Sequence, residues 1–178
     1  MNYQEFERAK ETFPLRAYEK EFKELEAIRR SFVRQFSLRK LEDMTINQFV
    51  EGKGSTDSFC YILERKLDGL GRIRGRWANK FGVWYSSETE KYEFKPKYGK
   101  NHKEAFYNLK HNIIQLIKDA ERGDIKALIS NPIDSWIKGK ILSTYFPNRY
   151  LNIFSGEHLN HFLRFFDLDT RELMRSDA

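Results

Sequence analysis

The sequence predicts a mainly helical α+β domain with a small antiparallel β-sheet. Residues 16–36 and 102–121 predict long amphipathic helices, because their apolar residues recur every three or four positions. Residues 81–86 alternate as a strand does, and residues 92–95 supply a partner strand across the polar turn SSETEK. The length of 178 residues, with 40% hydrophobic and 33% charged residues, fits one folded domain with an appended helical segment.

Residues 1–44 are predicted to be that helical segment, and residues 45–178 the domain proper. The apolar stripe on the 16–36 helix is typical of a helix that packs on the domain or on a partner. A basic RNA-binding helix is the alternative, and four glutamates weaken it because they dilute the positive charge. The stripe consists of Phe22, Leu25, Ile28, Phe32 and Phe36.

Shorter helices follow in the middle of the chain. Ser37 and Thr45 are the predicted N-caps of the helices LRKLEDM and INQFV. The next helix, FCYILERKL, contains Cys60 near its apolar face, which predicts a small buried residue and not a nucleophile. The loop between them, EGKGSTD, has the residues of a phosphate-binding loop without the GxxxxGK[ST] spacing, so it predicts no nucleotide site.

The C-terminal part of the chain is predicted to be helical with one further strand. Asn101 and Glu104 form a capping box for the 102–121 helix, and Gly123 is placed to end it. Short helices are predicted at residues 125–129 and 134–145. The apolar run YLNIF then predicts a buried strand that can join the sheet, and Ser155 is the predicted cap of a last helix.

Residues 71–100, here called the basic aromatic segment, contain the residues with the clearest functional signal. This segment has eight lysines and arginines, three glutamates and seven aromatic residues. Cations bind phosphates and aromatic rings stack on bases, so the pattern favours a nucleic acid as partner. The net charge of +6 and the pI near 9.3 also favour a polyanion. The alternative is a solvated ribbon with some buried rings.

No catalytic or metal-binding motif is recognisable. The E-x-K pairs Glu64/Lys66 and Glu93/Lys95 resemble those of metal-dependent nucleases but lack a further carboxylate from a neighbouring strand. His158 and His161 lack the remaining ligands of a metal site. We therefore expect a recognition module that has no cofactor, no metal and no enzymatic activity.

Cysteine content and hydropathy bear on location. A single cysteine excludes an internal disulfide and fits the reducing cytoplasm, and no apolar run is long enough to span a membrane. We therefore expect a cytoplasmic protein with no membrane partner. The end of the chain, RELMRSDA, has no helix stop signal, which favours a chain that is the front piece of a longer protein.

Several sequence blocks together resemble a known family. They are SFCYILERKL, the LGRIRG loop, KFGVWY, and KGKILSTYFPNRYLNIFS at residues 138–155. In this order they resemble the N-terminal region of McrB-like subunits of modification-dependent (type IV) restriction systems, over residues 44–166. The resemblance implies a DNA-recognition domain for phage defence, ahead of an AAA+ GTPase motor in the same full-length protein, with a separate nuclease subunit as partner. GTPase activity is not implied, because this chain lacks the motor.

The resemblance also implies that the domain reads a methylated base in duplex DNA. Some domains of this kind are PUA-like or EVE-like β-barrels that extrude the modified base, so a barrel with flanking helices is the alternative fold. Trp77 and Trp84 are the candidates for stacking on that base and Asn79 for hydrogen bonding to it. The predicted phosphate contacts are Arg72, Arg74, Arg76, Lys80, Lys95 and Lys97.

Three other functions stay open at this point. The chain can be an RNA-binding module, for which a preference for single-stranded RNA is expected. It can be a protein-interaction or assembly domain that uses the 16–36 helix, for which any nucleic-acid binding is expected to be weak and salt-sensitive. The third is a nuclease, for which cleavage would depend on a metal and on Glu93.

Overall fold

The computed structural model describes residues 3–73 and 78–168 of the chain. In this part, helices pack around one short β-hairpin, β1 (Val83–Ser86) and β2 (Lys91–Phe94). The first helices are α1 (Tyr3–Thr12), α2 (Leu15–Gln35), α3 (Leu38–Glu42), α4 (Ile46–Phe49) and α5 (Phe59–Tyr61). The later helices are α6 (His102–Arg122), α7 (Ile125–Ser130), α8 (Ser135–Tyr145) and α9 (Gly156–Phe165). A π-helix, Ile62–Lys66, continues α5, and 3₁₀ turns lie at Asp68–Leu70, Ala78–Phe81 and Pro96–Tyr98.

The fold class is the predicted one, a mainly helical α+β domain with a small antiparallel sheet. The alternative of a PUA-like barrel is not supported, because β1 and β2 are the only strands among residues 3–73 and 78–168. The predicted strand YLNIF is also wrong, since residues 150–154 are irregular. The side chain of Phe154 packs against Gly71 and Gly139 and is half-buried, whereas Leu151 is 68% exposed.

The hairpin pairs Val83 with Phe94 and Tyr85 with Tyr92. Val83 is fully buried and the two tyrosine rings meet edge to face at 5.4 Å, so this face lies on the core as its alternation predicts. Gly82, just before β1, has a φ of +89°, and a Cβ there would lie 2.6 Å from the Tyr98 ring. Only glycine fits this position without strain.

Helix α6 forms the centre of the core, and its predicted start and stop are confirmed. The predicted capping box is incomplete, because the Glu104 carboxylate accepts from the N–H of Lys100 and not from that of Asn101. The Asn101 side chain accepts hydrogen bonds from the backbone N–H groups of Lys103 and Glu104. Gly123 ends the helix in the left-handed conformation, with φ of 74°. The buried stripe between these ends includes Leu109, Ile113, Leu116, Ile117 and Ala120.

Only the C-terminal half of α2 belongs to the core. Phe32 and Phe36 are buried, whereas Leu15, Tyr18 and Phe22 are each about half or more exposed. The core also takes Leu41 and Met44 from before the predicted boundary at residue 45, together with Phe49 and Val50 from after it. Helix α1, which the sequence did not predict, places Phe6 against Phe165 and Phe166 near the end of α9.

Basic side chains cap the C-terminal ends of several helices by donating hydrogen bonds to their last carbonyl groups. Arg29 donates to Thr144 O of α8 at 2.8 Å, and Lys110 donates to Glu42 O of α3 at 2.7 Å. Lys138 donates to Leu128 O and Ile129 O of α7, each at 3.0 Å. These carbonyls have no partner within their own helix, so the cations satisfy them and complement the helix dipole.

Among the residues described, none of the helices combines the length and apolarity needed to cross a membrane.

Candidate nucleic-acid interface

Trp136, in the first turn of α8, separates two surface grooves and is 48% exposed. One groove, here called the Lys95 groove, has a volume of about 370 Å³, and its lining includes Ile73, Lys80, Lys95, Asp134, Trp136 and Ile137. The other, here called the Arg72 groove, has a volume of about 430 Å³, and its lining includes Arg72, Trp136, Asn152, Phe154, Ser155 and His158. Both combine an aromatic wall with a cation.

Asp134 holds two lysines of the basic aromatic segment at the Lys95 groove. Lys95 Nζ lies 3.0 Å from Asp134 Oδ2, and Lys97 Nζ donates to Asp134 Oδ1. Partial burial acts to raise the pKa of Asp134, but the hydrogen bonds from Lys97 and Lys95 outweigh it and hold that pKa below the ordinary value. Asp134 is therefore a carboxylate at neutral pH, and one of the two lysine charges is left uncompensated.

Gly71 allows the basic aromatic segment to pass close to the Arg72 groove. Its φ is +97°, and a Cβ there would lie 2.8 Å from both Asn152 O and the Phe154 ring. Arg72 follows with its side chain 82% exposed, and its Nε is 3.8 Å from Asp68. An exposed pair of this kind is weak, so the guanidinium is available to an anion.

Lys140 fixes the backbone that leads into Arg72. Its side chain is fully buried, and its ammonium group donates to Leu67 O, Leu70 O and Gly71 O at distances of 2.5 to 3.0 Å. Burial lowers the pKa of Lys140 to about 8, and the charge of Asp68 opposes this shift. One buried cation thus holds the turn that presents Arg72.

Lys80, a predicted phosphate contact, lies in a buried ion pair with Glu64. Its Nζ is 2.6 Å from Glu64 Oε1, and the two side chains are 12% and 7% exposed. Burial raises the pKa of Glu64, and the hydrogen bond and charge of Lys80 oppose this shift in part. The Lys80 charge is therefore largely balanced within the protein, although the side chain also lines the Lys95 groove.

Of the predicted base pocket, the structure describes Trp84 and Asn79. Trp84 is half-buried on β1, opposite Glu93 of β2, and it lines neither of the two grooves. Asn79 is exposed in the 3₁₀ turn Ala78–Phe81. Trp77, and the predicted phosphate contacts Arg74 and Arg76, lie outside the described residues.

Trp136 and Asp134 were missed by the sequence reasoning. Helix α8 buries residues on most of its sides: Ile137, Lys140, Ile141, Leu142, Ser143 and Thr144. Its sequence therefore has no clear amphipathic period from which an exposed tryptophan could be picked out. The one sequence feature that could have indicated this site is a tryptophan in the first turn of a predicted helix, directly after the polar residues Asp134 and Ser135.

The arrangement within the described ranges suits binding and contains no built metal site. No group of three or more His, Cys, Asp or Glu side chains there could hold a metal ion. Of the E-x-K residues, Glu64 is paired with Lys80, and Glu93 accepts a hydrogen bond from Thr89 at 3.0 Å. Cys60 is buried, and burial raises the pKa of its thiol well above the ordinary value, which makes it unreactive.

Comparisons with known protein families, with curated proteins and with solved structures gave no match to this chain.

Proposed function

We propose that this chain is a non-catalytic DNA-recognition domain that reads a modified base in duplex DNA. The observation that carries the proposal is the exposed indole of Trp136 between Arg72 on one side and Lys95 with Lys97 on the other. The resemblance of several sequence blocks to McrB-like subunits supports the same role. It also suggests an AAA+ GTPase motor in the full-length protein and a separate nuclease subunit as partners.

Phosphate binding and base binding need different groups, and this surface has both. The guanidinium of Arg72 and the ammonium groups of Lys95 and Lys97 can hold phosphates on either side of Trp136. An exposed tryptophan can stack on a base that has left the duplex, which offsets part of the cost of unstacking it. The residues RGRW at 74–77 add two arginines and a tryptophan to the stretch between Ile73 and Ala78.

A protein-assembly role is the second candidate, and α2 favours it. Leu15, Tyr18 and Phe22 lie on successive turns of this helix and are 70%, 51% and 59% exposed. An exposed apolar stripe of this kind is typical of a contact surface for another protein. Assembly and DNA recognition are compatible, so only the absence of specific DNA binding would favour assembly alone.

The proposal predicts preferential binding of one modified duplex. Matched duplexes that are unmodified, that contain N6-methyladenine or that contain 5-methylcytosine are titrated at two salt concentrations. We expect one modified duplex to bind at least about tenfold more tightly, a difference of roughly 1.4 kcal/mol. Tyr107→Ala should show the same preference as the wild type, because Tyr107 is an exposed aromatic residue on α6 that lines neither groove.

Equal binding of all three duplexes with a steep salt dependence would mean that the surface contacts only the phosphate backbone. Absence of binding to any duplex would contradict DNA recognition and leave assembly as the candidate.

Asp134 is expected to limit the affinity of this surface for DNA. Asp134→Asn removes the negative charge that holds Lys95 and Lys97, so both ammonium groups become available to phosphates. We expect binding to unmodified, fully paired duplex to become several-fold tighter at low salt, and its dependence on salt concentration to increase by the equivalent of about one phosphate contact. Glu11→Gln on α1 is the control, since it makes the same change in charge away from the grooves. Weaker binding by Asp134→Asn than by this control would contradict the prediction.

A further inference from the structure

The Lys95 groove has the lining expected of a pocket for one aromatic ring. Trp136 stands at its side with about half of its surface exposed, while Ile73 and Ile137, which also line it, are buried. Its volume of about 370 Å³ lies at the lower end of the range of roughly 300 to 1,000 Å³ for ligand sites in proteins. A small planar group therefore fits this groove better than a large ligand does.

The polar groups of the groove favour one kind of ring. Each oxygen of the Asp134 carboxylate already accepts a hydrogen bond from a lysine, Oδ2 from Lys95 and Oδ1 from Lys97. A carboxylate oxygen has two lone pairs, so each can accept one more hydrogen bond. On the major-groove edge, the amino groups of cytosine (N4) and adenine (N6) can donate such a bond, whereas thymine (O4) and guanine (O6) have a carbonyl oxygen at the corresponding place. The amino group of guanine lies on the opposite, minor-groove edge.

The surroundings of the groove favour a base within a DNA strand over a free base. Lys95 lines the groove with its side chain 33% exposed, and Lys97, 45% exposed, pairs with the groove residue Asp134. Arg72 lies beyond Trp136 in the neighbouring groove. Cations on both sides of an aromatic wall suit a nucleotide whose flanking phosphates continue in both directions.

We infer that the Lys95 groove binds a single extruded cytosine or adenine of DNA, stacked on Trp136 and hydrogen-bonded through its amino group to Asp134. This inference rests on the proposed function. It places the base at α8 and not at the predicted pocket around Trp84 on β1. Methylation at cytosine C5 or at adenine N6 leaves at least one amino hydrogen for Asp134, so both remain compatible with this contact.

The test uses duplexes in which the target base is easy to extrude. An abasic site is placed opposite a cytosine, an adenine or a thymine, and fully paired duplexes of the same sequence serve for comparison. We expect the wild-type chain to bind the cytosine or adenine target more tightly than the thymine target. Trp136→Ala should lose about tenfold or more in affinity for the preferred abasic duplex, as expected from the loss of one base stack, and less than about twofold for the paired duplexes.

Three further variants complete the experiment. Trp136→Phe keeps an aromatic face and should retain most of the preference, and Tyr107→Ala should bind every duplex as the wild type does. The inference is overturned if Trp136→Ala binds the abasic duplexes as tightly as the wild type, or if Trp84→Ala alone loses the preference. Equal binding of the thymine target would overturn the assignment to Asp134. If the wild type binds no DNA, the proposed function fails together with the inference.

Discussion

Replacement of Lys140 by methionine is expected to lower the free energy of unfolding by about 2 to 5 kcal/mol. Methionine has a similar length and keeps the apolar contacts of the side chain, but it cannot donate to Leu67 O, Leu70 O and Gly71 O. Leu67 O keeps the hydrogen bond from the backbone N–H of Leu70, but Leu70 O and Gly71 O lose the Lys140 donor. Each acceptor left without a donor costs about 1 to 3 kcal/mol. Urea denaturation of the two proteins at pH 7 measures the difference. A loss below about 0.5 kcal/mol would mean that water replaces the ammonium group.

The contribution of Lys140 should also depend on pH in a defined direction. Its pKa is lowered from 10.5 in the unfolded chain to about 8 in the folded protein. Between these values the unfolded chain binds more protons than the folded one, so the free energy of unfolding rises with pH. The difference between wild type and Lys140→Met should therefore grow by up to about 3 kcal/mol from pH 8 to pH 10.5. A difference that shrinks over this range would contradict the assignment.

Removal of the Lys80 side chain should be the other large loss in stability. Lys80→Met removes the closest cation of the buried Glu64 carboxylate and leaves, among the described residues, only Arg65, whose Nη2 is 3.9 Å from Glu64 Oε1. Breaking a buried pair in this way costs about 3 to 5 kcal/mol. The double variant Glu64→Leu, Lys80→Met buries no charge and should recover most of that loss. Denaturation of both variants measures this, with Lys66→Met as the control, because Lys66 pairs with an exposed Asp57 and should cost at most about 1 kcal/mol.

The pH dependence of Lys80→Met distinguishes this ion pair from simple packing. Burial raises the pKa of Glu64 above 4.5. Just above pH 4.5 the folded protein then binds more protons than the unfolded chain, so its stability falls as pH rises through the pKa of Glu64. Lys80 is the main group that lowers the pKa of Glu64, so this pKa should rise further when Lys80 is removed. The decrease in the free energy of unfolding with rising pH should then be larger in Lys80→Met than in the wild type. Equal pH dependence of variant and wild type would show that Lys80 contributes by packing alone.

Helix periodicity and capping residues were sufficient to predict most of this fold. Asn101 and Gly123 mark the ends of α6 because a cap and a left-handed glycine each act within one turn. The prediction for YLNIF failed because a short apolar run can pack through one side chain without forming a strand, here Phe154 against two glycines, while Leu151 stays exposed. Periodicity cannot distinguish that arrangement from a strand.

The candidate interface was less predictable than the fold. The basic aromatic segment was recognisable from its composition. It contains Arg72 and Lys95, which line the two grooves, and Lys97, which pairs with Asp134. Composition could not show that Lys80 pairs with Glu64 of the π-helix, because the pairing depends on tertiary packing. Trp136 comes from a helix 36 residues after the segment ends, and the sequence has no local feature that joins the two.

The lysines and arginines that cap helix ends change the meaning of the basic pI. Lys110, Lys138, Lys140 and Arg29 each donate to backbone carbonyl groups of another element, and Arg29 also pairs with Glu26. Their charged groups therefore make contacts within the protein. Some of the basic residues therefore stabilise the fold, and these would remain in a relative that binds no polyanion. Counting such residues overstates the number of counterions that this surface can release from DNA.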